Sequence, residues 1–177
     1  MKKKLIKLAI TVIILILLSI CSIYMMFPMK YKEDISKYSK EYDIDPFLVS
    51  AIINVESGFD KNAKSHKDAR GLMQIREITG NWASENISME IKEEDYYNPE
   101  HNIQIGCWYI SVLRKQYGNS IELIAAAYNA GMGNVNKWID EGRRIEEGDV
   151  PFEETKNYIL KVKNNYKIYK ILYKDFE

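Results

Sequence analysis

The sequence predicts a mainly α-helical domain preceded by a single N-terminal transmembrane helix. Three observations support this fold class: residues 8–27 form an uncharged apolar run, apolar residues recur at helical spacing further on, and no segment alternates convincingly as a half-buried strand does. Short β elements near Gly71–Ile75 remain compatible with the pattern. The 177 residues suffice for one domain and an appendage, so we divide the chain into an anchor (1–28), a linker (29–35) and a helical domain (36–177).

The N-terminal apolar run, LAITVIILILLSICSIYMMF, is long enough to cross a bilayer. As a helix it spans about 30 Å, which matches the hydrocarbon thickness of a membrane. The lysines of the preceding MKKKLIK favour a cytoplasmic N-terminus. We therefore expect a single-pass membrane protein that contacts the bilayer through residues 8–27 and carries its domain on the extracytoplasmic side.

Two other interpretations of this segment stay open. A cleaved signal peptide would need a shorter apolar core and an Ala-x-Ala-like site, and neither is evident. The letters LLSIC resemble a lipoprotein processing site ending at Cys21. Ile20, however, is bulky for the position before such a cysteine, and the apolar run continues beyond it.

Charge and cysteine usage exclude several classes of function. The net charge is zero, but the basic N-terminal tip leaves the rest of the chain mildly acidic, which argues against a nucleic-acid partner. Cys21 and Cys107 lie in an apolar N-terminus and a predicted helix, so no mutual disulfide is expected. His66 and His101 stand alone without metal-ligand spacing. We expect no metal and no cofactor.

The helical domain follows from start and stop signals in order. A lysine-rich first helix carries Ile35, Tyr38 and Tyr42 on one face, and Asp45 with Pro46 opens the second helix, DPFLVSAIINVES. Four more helices are predicted by the same signals: one from Asn98 and Pro99 to Gly118, SIELIAAAYNAG ending at Gly131, NVNKWIDEG ending at Gly142, and a long final helix from about Glu153 towards Tyr173.

The stretch NVESGFD, residues 54–60, places Glu56 where the apolar second helix ends. Taken alone, such a glutamate is most simply a solvated residue at a helix end. A carboxyl held in a poorly hydrated cleft is the alternative, because desolvation would raise its pKa and suit it to acid catalysis.

Four short stretches occur in a characteristic order: ESGFD (56–60), GLMQI (71–75), AAYNAG (126–131) and PFEETKNY (151–158). Together they resemble the lytic transglycosylases of the soluble-lytic-transglycosylase-like family, which have a lysozyme-like SLT domain. YNPEHNIQIG (97–106) is similar to the segment between the second and third motifs of that family. The resemblance covers roughly residues 36–170 and implies a lysozyme-like fold.

The resemblance implies a bacterial cell-wall enzyme, a peptidoglycan lytic transglycosylase. Such a lyase cleaves the β-1,4 bond between N-acetylmuramic acid and N-acetylglucosamine and leaves a 1,6-anhydromuramic end. Ordinary glycosidases need two carboxyl groups, because one protonates the leaving oxygen while the other attacks or activates water. Here the nucleophile is the C6 hydroxyl of the substrate itself, so one carboxyl group can serve first as acid and then as base.

The resemblance also implies roles for individual residues. Glu56 corresponds to the catalytic acid and Tyr158 to a tyrosine whose hydroxyl lies beside it. The predicted substrate-binding residues are Ser57, Met73, Gln74, Tyr128 and Asn129, and the predicted structural supports are Gly71 and Glu154. The chain departs from many relatives in two places: IREITG follows GLMQ where a Met-Pro pair is common, and Glu153 stands where many have proline.

Two other functions stay open. Goose-type lysozymes share the broad fold and hydrolyse the bond with the help of aspartates, a role open here to Asp60 and Asp68. A non-catalytic anchor that only binds glycan is the second alternative. In each case peptidoglycan glycan strands are the expected partner, and the anchor would allow recruitment by cell-wall or secretion machinery.

Overall fold

The computed structural model describes residues 2–174, in which eight α-helices and two short 3₁₀ helices make up the regular structure. The α-helices are α1 (Lys2–Met26), α2 (Lys32–Glu41), α3 (Pro46–Ser57), α4 (Glu77–Ser84), α5 (Pro99–Tyr117), α6 (Ile121–Ala130), α7 (Met132–Asp140) and α8 (Glu153–Leu172). The 3₁₀ helices are Glu93–Tyr96 and Ile145–Glu147. The last three residues of the predicted domain, 175–177, lie outside the described residues.

The helix starts predicted from the sequence are confirmed by their capping bonds. The Asp45 carboxylate accepts a hydrogen bond from the Phe47 backbone N–H at 2.8 Å, and the Asn98 side chain accepts one from His101 N–H at 3.3 Å. In each case a proline occupies the first helical position, where its missing N–H costs nothing. The helices therefore begin where local chemistry satisfies their free N–H groups.

The segment between α3 and α5 was the least predictable part of the domain. Short antiparallel bridges join Lys64 to Arg70 and Arg70 to Ile75, which is as much β structure as the described residues contain. The helix α4 begins after Arg76, directly beyond the GLMQI stretch. This loop segment contains the GLMQI stretch and forms part of the candidate site.

The core lies between α3, α5, α6 and α8, and α3 packs directly on α8. It is formed by apolar side chains that include Ile52, Ile103, Ile110, Leu113 and Val162. Helix α2 closes one side against α5. Cys107 is buried in this core whereas Cys21 is exposed on α1, and both are free thiols. The strongly apolar helix α3 is thus packed against both α2 and α8, which holds its C-terminal end in place.

The N-terminal helix α1 is long and apolar enough to cross a membrane, and none of its residues is buried by the domain. The sequence predicts a linker over 29–35. In the structure Met29 packs against the core, α2 already begins at Lys32, and Ile35 is fully buried. The segment after the anchor is therefore in close contact with the domain along its whole length.

Candidate active site

The C-terminal end of α3 holds Glu56 beside α8. Gly58 ends the helix in the left-handed conformation at φ 60°, and its N–H donates to the Asn54 carbonyl at 3.1 Å. Glu56 lies in the last turn and is partly buried, with Ile52 and Ile53 fully buried in the preceding turn. The apolar helix that looked built for the core therefore supports a carboxyl group at its end.

The Tyr158 hydroxyl donates a hydrogen bond to Oε1 of Glu56 at 2.7 Å. The two residues are far apart in the sequence, and the packing of α8 on α3 brings them together. Burial raises the pKa of Glu56 from 4.5 to about 7, and the hydrogen bond from Tyr158 opposes part of that rise because it stabilises the carboxylate. At neutral pH the carboxyl group can therefore both give and take a proton.

Two tyrosines near the Glu56 carboxyl have raised pKa values and remain protonated near neutral pH. Burial raises the pKa of Tyr158 well above its usual value, and the nearby Glu56 charge adds to the shift. Burial followed by the Glu56 charge has the same effect on the pKa of Tyr128. A tyrosine that keeps its proton is a hydrogen-bond donor, so near neutral pH Tyr158 supplies a donor rather than a second titrating group.

The GLMQI stretch forms the wall opposite α8 and is held through its backbone. Ser57 donates from its hydroxyl to the Leu72 carbonyl at 2.7 Å, and Tyr128 donates to the Met73 carbonyl at 2.8 Å. The sequence predicts a sugar contact for Met73, but its side chain is completely buried against Gly106. The Met73 side chain thus packs in the core beneath the GLMQI stretch, and Ser57 joins this stretch to the end of α3.

Asn102 is a site-supporting residue that sequence reasoning missed. Its fully buried amide accepts a hydrogen bond from the Met73 N–H at 2.8 Å and donates to the carbonyls of Arg70 and Tyr96 at 3.0 and 2.8 Å. One side chain therefore satisfies three backbone groups of two separate segments. Asn102 lies in YNPEHNIQIG, which is similar to a segment of the family, and this similarity was the signal that could have found it.

Gly71 lies at φ 74°, in the region that favours glycine. A Cβ atom at this position would overlap the Tyr96 carbonyl and the Asn102 amide. The sequence predicts a structural role for Gly71, and its close contacts are with these two groups.

Gln74 and Asn129 line a small cleft of about 190 Å³ together with Tyr128. The Gln74 amide N–H₂ donates to the carbonyls of Gly71 at 2.9 Å and Ala63 at 3.2 Å, which fixes the side chain at the edge of the wall. Amide groups and tyrosine rings in a cleft are suited to N-acetyl and hydroxyl groups of sugars. Of the predicted substrate-binding set, these three residues are the ones placed together in an open cleft.

The start of α8 is joined to the cleft by two contacts. Asn129 accepts a hydrogen bond from the buried Thr155 hydroxyl at 2.7 Å, so Thr155 positions Asn129. Thr155 was not among the residues selected from the sequence. Glu154 is exposed and lies 3.7 Å from Lys67 of the loop after α3. This ion pair is consistent with the loop-bracing role predicted for Glu154.

The two aspartates considered for a hydrolytic mechanism are engaged elsewhere. Asp60 is exposed and accepts a hydrogen bond from the Asn62 N–H at 2.9 Å, within its own turn. Asp68 pairs with Lys64 at 2.9 Å and with Arg70, and the Lys64 hydrogen bond lowers its pKa. Among residues 2–174, no second carboxylate contributes to the pKa of Glu56.

Within the described range, no group of three or more His, Cys, Asp or Glu side chains is arranged to hold a metal ion. The groups that the structure brings together at the site are one carboxyl group, its tyrosine donor and neutral polar side chains.

Comparison with known proteins places this geometry in a family. The profile of the family described as "Transglycosylase SLT domain" matches residues 33–149. The soluble lytic murein transglycosylase of Salmonella typhimurium is 33% identical over 147 residues, which cover 77% of this chain and 22% of that protein. The membrane-bound lytic murein transglycosylase C of Edwardsiella ictaluri is 30% identical over 173 residues, with coverage of 80% and 46%.

Solved structures agree with the sequence relatives. An inactive glutamate-to-glutamine mutant of the lytic transglycosylase Slt from Pseudomonas aeruginosa superimposes with a TM-score of 0.77 at 28% identity, covering 82% of this chain and 25% of that one. The 70-kDa soluble lytic transglycosylase of Escherichia coli gives a TM-score of 0.74 at 29% identity with the same coverage. The chain thus spans between about a quarter and a half of the relatives it matches. It belongs to the Transglycosylase SLT domain family and has the lysozyme-like helical fold of these enzymes.

Proposed function

We propose that this protein is a membrane-anchored peptidoglycan lytic transglycosylase in which Glu56 acts first as acid and then as base. The observation that carries the proposal is the buried Glu56 carboxyl, whose pKa of about 7 and single tyrosine donor suit it to proton transfer in both directions near neutral pH. The names of the relatives support the same reaction class.

The first step needs the protonated form of Glu56. Its proton passes to the oxygen of the β-1,4 bond, the bond from C1 of the muramic sugar to that oxygen breaks, and the N-acetylglucosamine leaves with a free hydroxyl. Positive charge develops at C1, and we assign its stabilisation to the new Glu56 carboxylate, which accepts the hydrogen bond from Tyr158.

The second step restores the acid. The Glu56 carboxylate takes the proton from the C6 hydroxyl of the muramic sugar while the C6 oxygen forms a bond to C1, which closes the 1,6-anhydro ring. One proton leaves Glu56 and one returns, so the net reaction consumes no water. A pKa near 7 keeps both forms accessible at small free-energy cost, which is what a group with two successive roles requires.

Substrate binding is assigned to the cleft lined by Gln74, Tyr128 and Asn129. The N-acetyl groups of peptidoglycan offer one amide donor and one carbonyl acceptor each, which match the side-chain amides at this edge. Ser57, Met73 and Gly71 are proposed to act through the wall they hold, because their contacts go to protein groups.

Product analysis of isolated peptidoglycan tests the proposal. The full-length protein in detergent is incubated with cell-wall sacculi, and the soluble fragments are identified by mass spectrometry. We expect 1,6-anhydromuramic ends, which are 18 mass units lighter than hydrolysed ends because water is not added. Reducing ends carrying an added water would contradict the lyase assignment, and fragments released equally by Glu56→Gln would contradict the role of Glu56.

The hydrolase alternative is tested by the loop aspartates. Asp60→Asn and Asp68→Asn each keep the shape of the side chain and remove its charge. Because both residues bond within the loop rather than to Glu56, we expect each variant to form the same anhydro product as the unmodified protein. A specific loss of turnover in Asp60→Asn, with normal folding, would indicate that this carboxylate activates water.

The location is proposed from the anchor. Helix α1 is placed across the bacterial cell membrane as a single span, with the lysine-rich tip in the cytoplasm and the domain outside. Protease added to intact protoplasts is expected to digest the domain, whereas digestion only after lysis would reverse the orientation. Recruitment by cell-wall or secretion machinery is tested by replacing α1 with an unrelated spanning helix; unchanged activity in cells would exclude a partner that recognises α1.

A further inference from the structure

The segment that leaves the anchor is bonded into the domain. The Met26 carbonyl accepts a hydrogen bond from the Asn54 amide at 3.0 Å, the Phe27 carbonyl accepts one from Tyr173 at 2.8 Å, and the Pro28 carbonyl accepts one from Tyr169 at 3.0 Å. These three bonds come from α3 and from the end of α8. The domain is therefore docked on the last turn of its anchor rather than suspended from a loose connection.

This docking places the end of α8 beside the end of α1. The rings of Tyr24 and Tyr173 meet edge to face, with centroids 5.8 Å apart. Tyr24 belongs to the last turn of α1, and tyrosines at the end of a spanning helix lie at the level of the lipid headgroups. With α1 across the bilayer, Tyr173 and its neighbours in α8 lie at that level as well.

The end of α8 has the composition of an element that contacts anionic lipid. Residues 161–174 contain five lysines and no acidic residue, and Asp175 and Glu177 follow them in the sequence. Ile171 is a large apolar side chain that is 75% exposed, and Lys170 and Lys174 flank it on the surface, where the Lys170 ammonium also contacts the Tyr166 hydroxyl at 3.4 Å. Of the other three lysines, Lys163 pairs with Glu122 and lies further from the anchor. An exposed apolar residue among lysines is suited to the boundary between acyl chains and headgroups.

Charges on the neighbouring elements do not cancel this surface. Lys30 and Lys32 follow the anchor directly and are exposed, and the Lys32 ammonium lies 5.6 Å from the centre of the Tyr173 ring. Glu33 and Asp34 come next, in the first turn of α2. The lysines thus outnumber the carboxylates around the end of α8 in the described part of the chain.

We propose that the C-terminal end of α8, with Ile171, Lys170 and Lys174, is a second membrane-contacting element that binds anionic lipid headgroups beside the anchor. The inference rests on α1 spanning the membrane and does not depend on the reaction catalysed. The proposal also sets an upper limit on the distance between the cleft and the bilayer. Tyr158 and Tyr173 are 15 residues apart along α8, so their Cα atoms are within about 22 Å of each other at any tilt of the helix.

The position of α8 is measured with spin labels on the full-length protein in nanodiscs. Cys21→Ser removes the exposed native thiol, and a nitroxide is attached to Ile171→Cys. Leu160→Cys is the matched control, because it is also an exposed apolar residue of α8 but lies towards the cleft. In discs containing phosphatidylglycerol we expect the label at 171 to collide with oxygen in preference to a water-soluble nickel complex, and the label at 160 to show the reverse.

Two results would overturn the proposal. A label at 171 that is as accessible to the nickel complex as the label at 160 would show that α8 does not reach the membrane. An equal signal in discs of phosphatidylcholine alone would overturn the assignment to anionic headgroups. Because neither measurement reads activity, a failure here is distinct from a failure of the proposed reaction.

The lysines are tested in the same labelled background. Lys170→Glu combined with Lys174→Glu is expected to shift the label at 171 towards water, because the reversed charges are repelled by phosphatidylglycerol. Lys156→Glu combined with Lys161→Glu makes the same charge change on exposed positions of α8 nearer the cleft and should leave the signal unchanged. An equal effect of both pairs would mean that net charge alone, not a local contact, positions the helix.

Discussion

Two tyrosines on one face of α8 make the same bond with different consequences. Tyr158 and Tyr169 are three turns apart, both are buried, and each donates its hydroxyl to a residue near α3. Tyr158 donates to the Glu56 carboxyl at 2.7 Å, whereas Tyr169 donates to the Pro28 carbonyl at 3.0 Å. The first acceptor exchanges a proton near pH 7 and the second does not titrate.

The comparison shows that burial and a hydrogen bond do not by themselves make a catalytic group. One end of α8 uses them to set the pKa of an acid, and the other end uses them to hold the anchor segment. The difference lies in the acceptor, because only a carboxyl group changes charge when it is desolvated. Substitutions at the two ends of α8 test this division.

Glu56→Gln replaces the carboxyl group that accepts the Tyr158 hydrogen bond with an amide. Like the Pro28 carbonyl that accepts from Tyr169, the amide does not titrate. We expect turnover of peptidoglycan to fall by about 10²- to 10⁴-fold, the usual contribution of a general acid or base. The fold should persist, since Tyr158 can still donate to the glutamine oxygen. Turnover is measured by release of anhydromuropeptides, and a loss below about three-fold would contradict the acid–base role.

Tyr158→Phe removes the donor and keeps the ring. The hydrogen bond lowers the pKa of Glu56, so its loss should move the falling limb of the pH–rate profile from near 7 to higher pH. We also expect turnover to fall about ten-fold, because the carboxylate loses its charge-assisted partner. Initial rates between pH 5 and 9 give both values, and a falling limb that stays in place would show that Tyr158 does not act on Glu56.

The pH dependence of stability isolates the buried carboxyl. Because its pKa is raised in the folded state, the folded protein binds more protons than the unfolded chain between pH 4.5 and about 7, and stability falls as the pH rises through that window. In Glu56→Gln this contribution is absent. From pH 4 to pH 8, we expect the free energy of unfolding of the variant to rise by about 2 kcal/mol relative to that of the unmodified protein. This is less than the full shift of the Glu56 pKa would give, because the side chain is not completely enclosed.

That gain is read from denaturant unfolding of the full-length protein in micelles, followed by the fluorescence of its tryptophans. An equal pH dependence in both proteins would place the Glu56 pKa near its ordinary value.

Tyr169→Phe is the matched change at the anchor end. It removes one hydrogen bond to the Pro28 carbonyl, and we expect a loss of about 1 kcal/mol in the free energy of unfolding. The loss should be the same at pH 5 and pH 8, and turnover of soluble glycan fragments should change by less than two-fold. A shifted pH–rate profile in this variant would show that the two ends of α8 are coupled.

Much of the fold could be read from local sequence. The caps at Asp45 and Asn98 and the stops at Gly118 and Gly131 gave the helices to within a few residues, because those signals act over one turn. The loop over 58–76 could not be derived in this way. Its backbone is held by Asn102, which is distant in sequence and carries no local signal for that role.

The candidate site divides in the same manner. Four motifs in order sufficed to select Glu56 and Tyr158 as candidates, and Gln74, Tyr128 and Asn129 as cleft residues. Sequence could not separate residues that face the cleft from residues that support it, so Met73 was assigned a sugar contact although its side chain is fully buried. Exposure is a property of packing between segments, and a motif does not report it.

Local sequence sufficed to predict the apolar anchor, every α-helix of the domain except α4, and the candidate carboxyl group Glu56. The family resemblance implied that the Tyr158 hydroxyl lies beside Glu56, and the structure contains that hydrogen bond. Two other features emerge only from the folded chain: burial raises the pKa of Glu56 to about 7, and the residues after the anchor are bonded to α3 and α8. The physical reason is range. Helix propensity and capping depend on neighbours within a turn, whereas desolvation and docking depend on surfaces that meet only when distant segments pack.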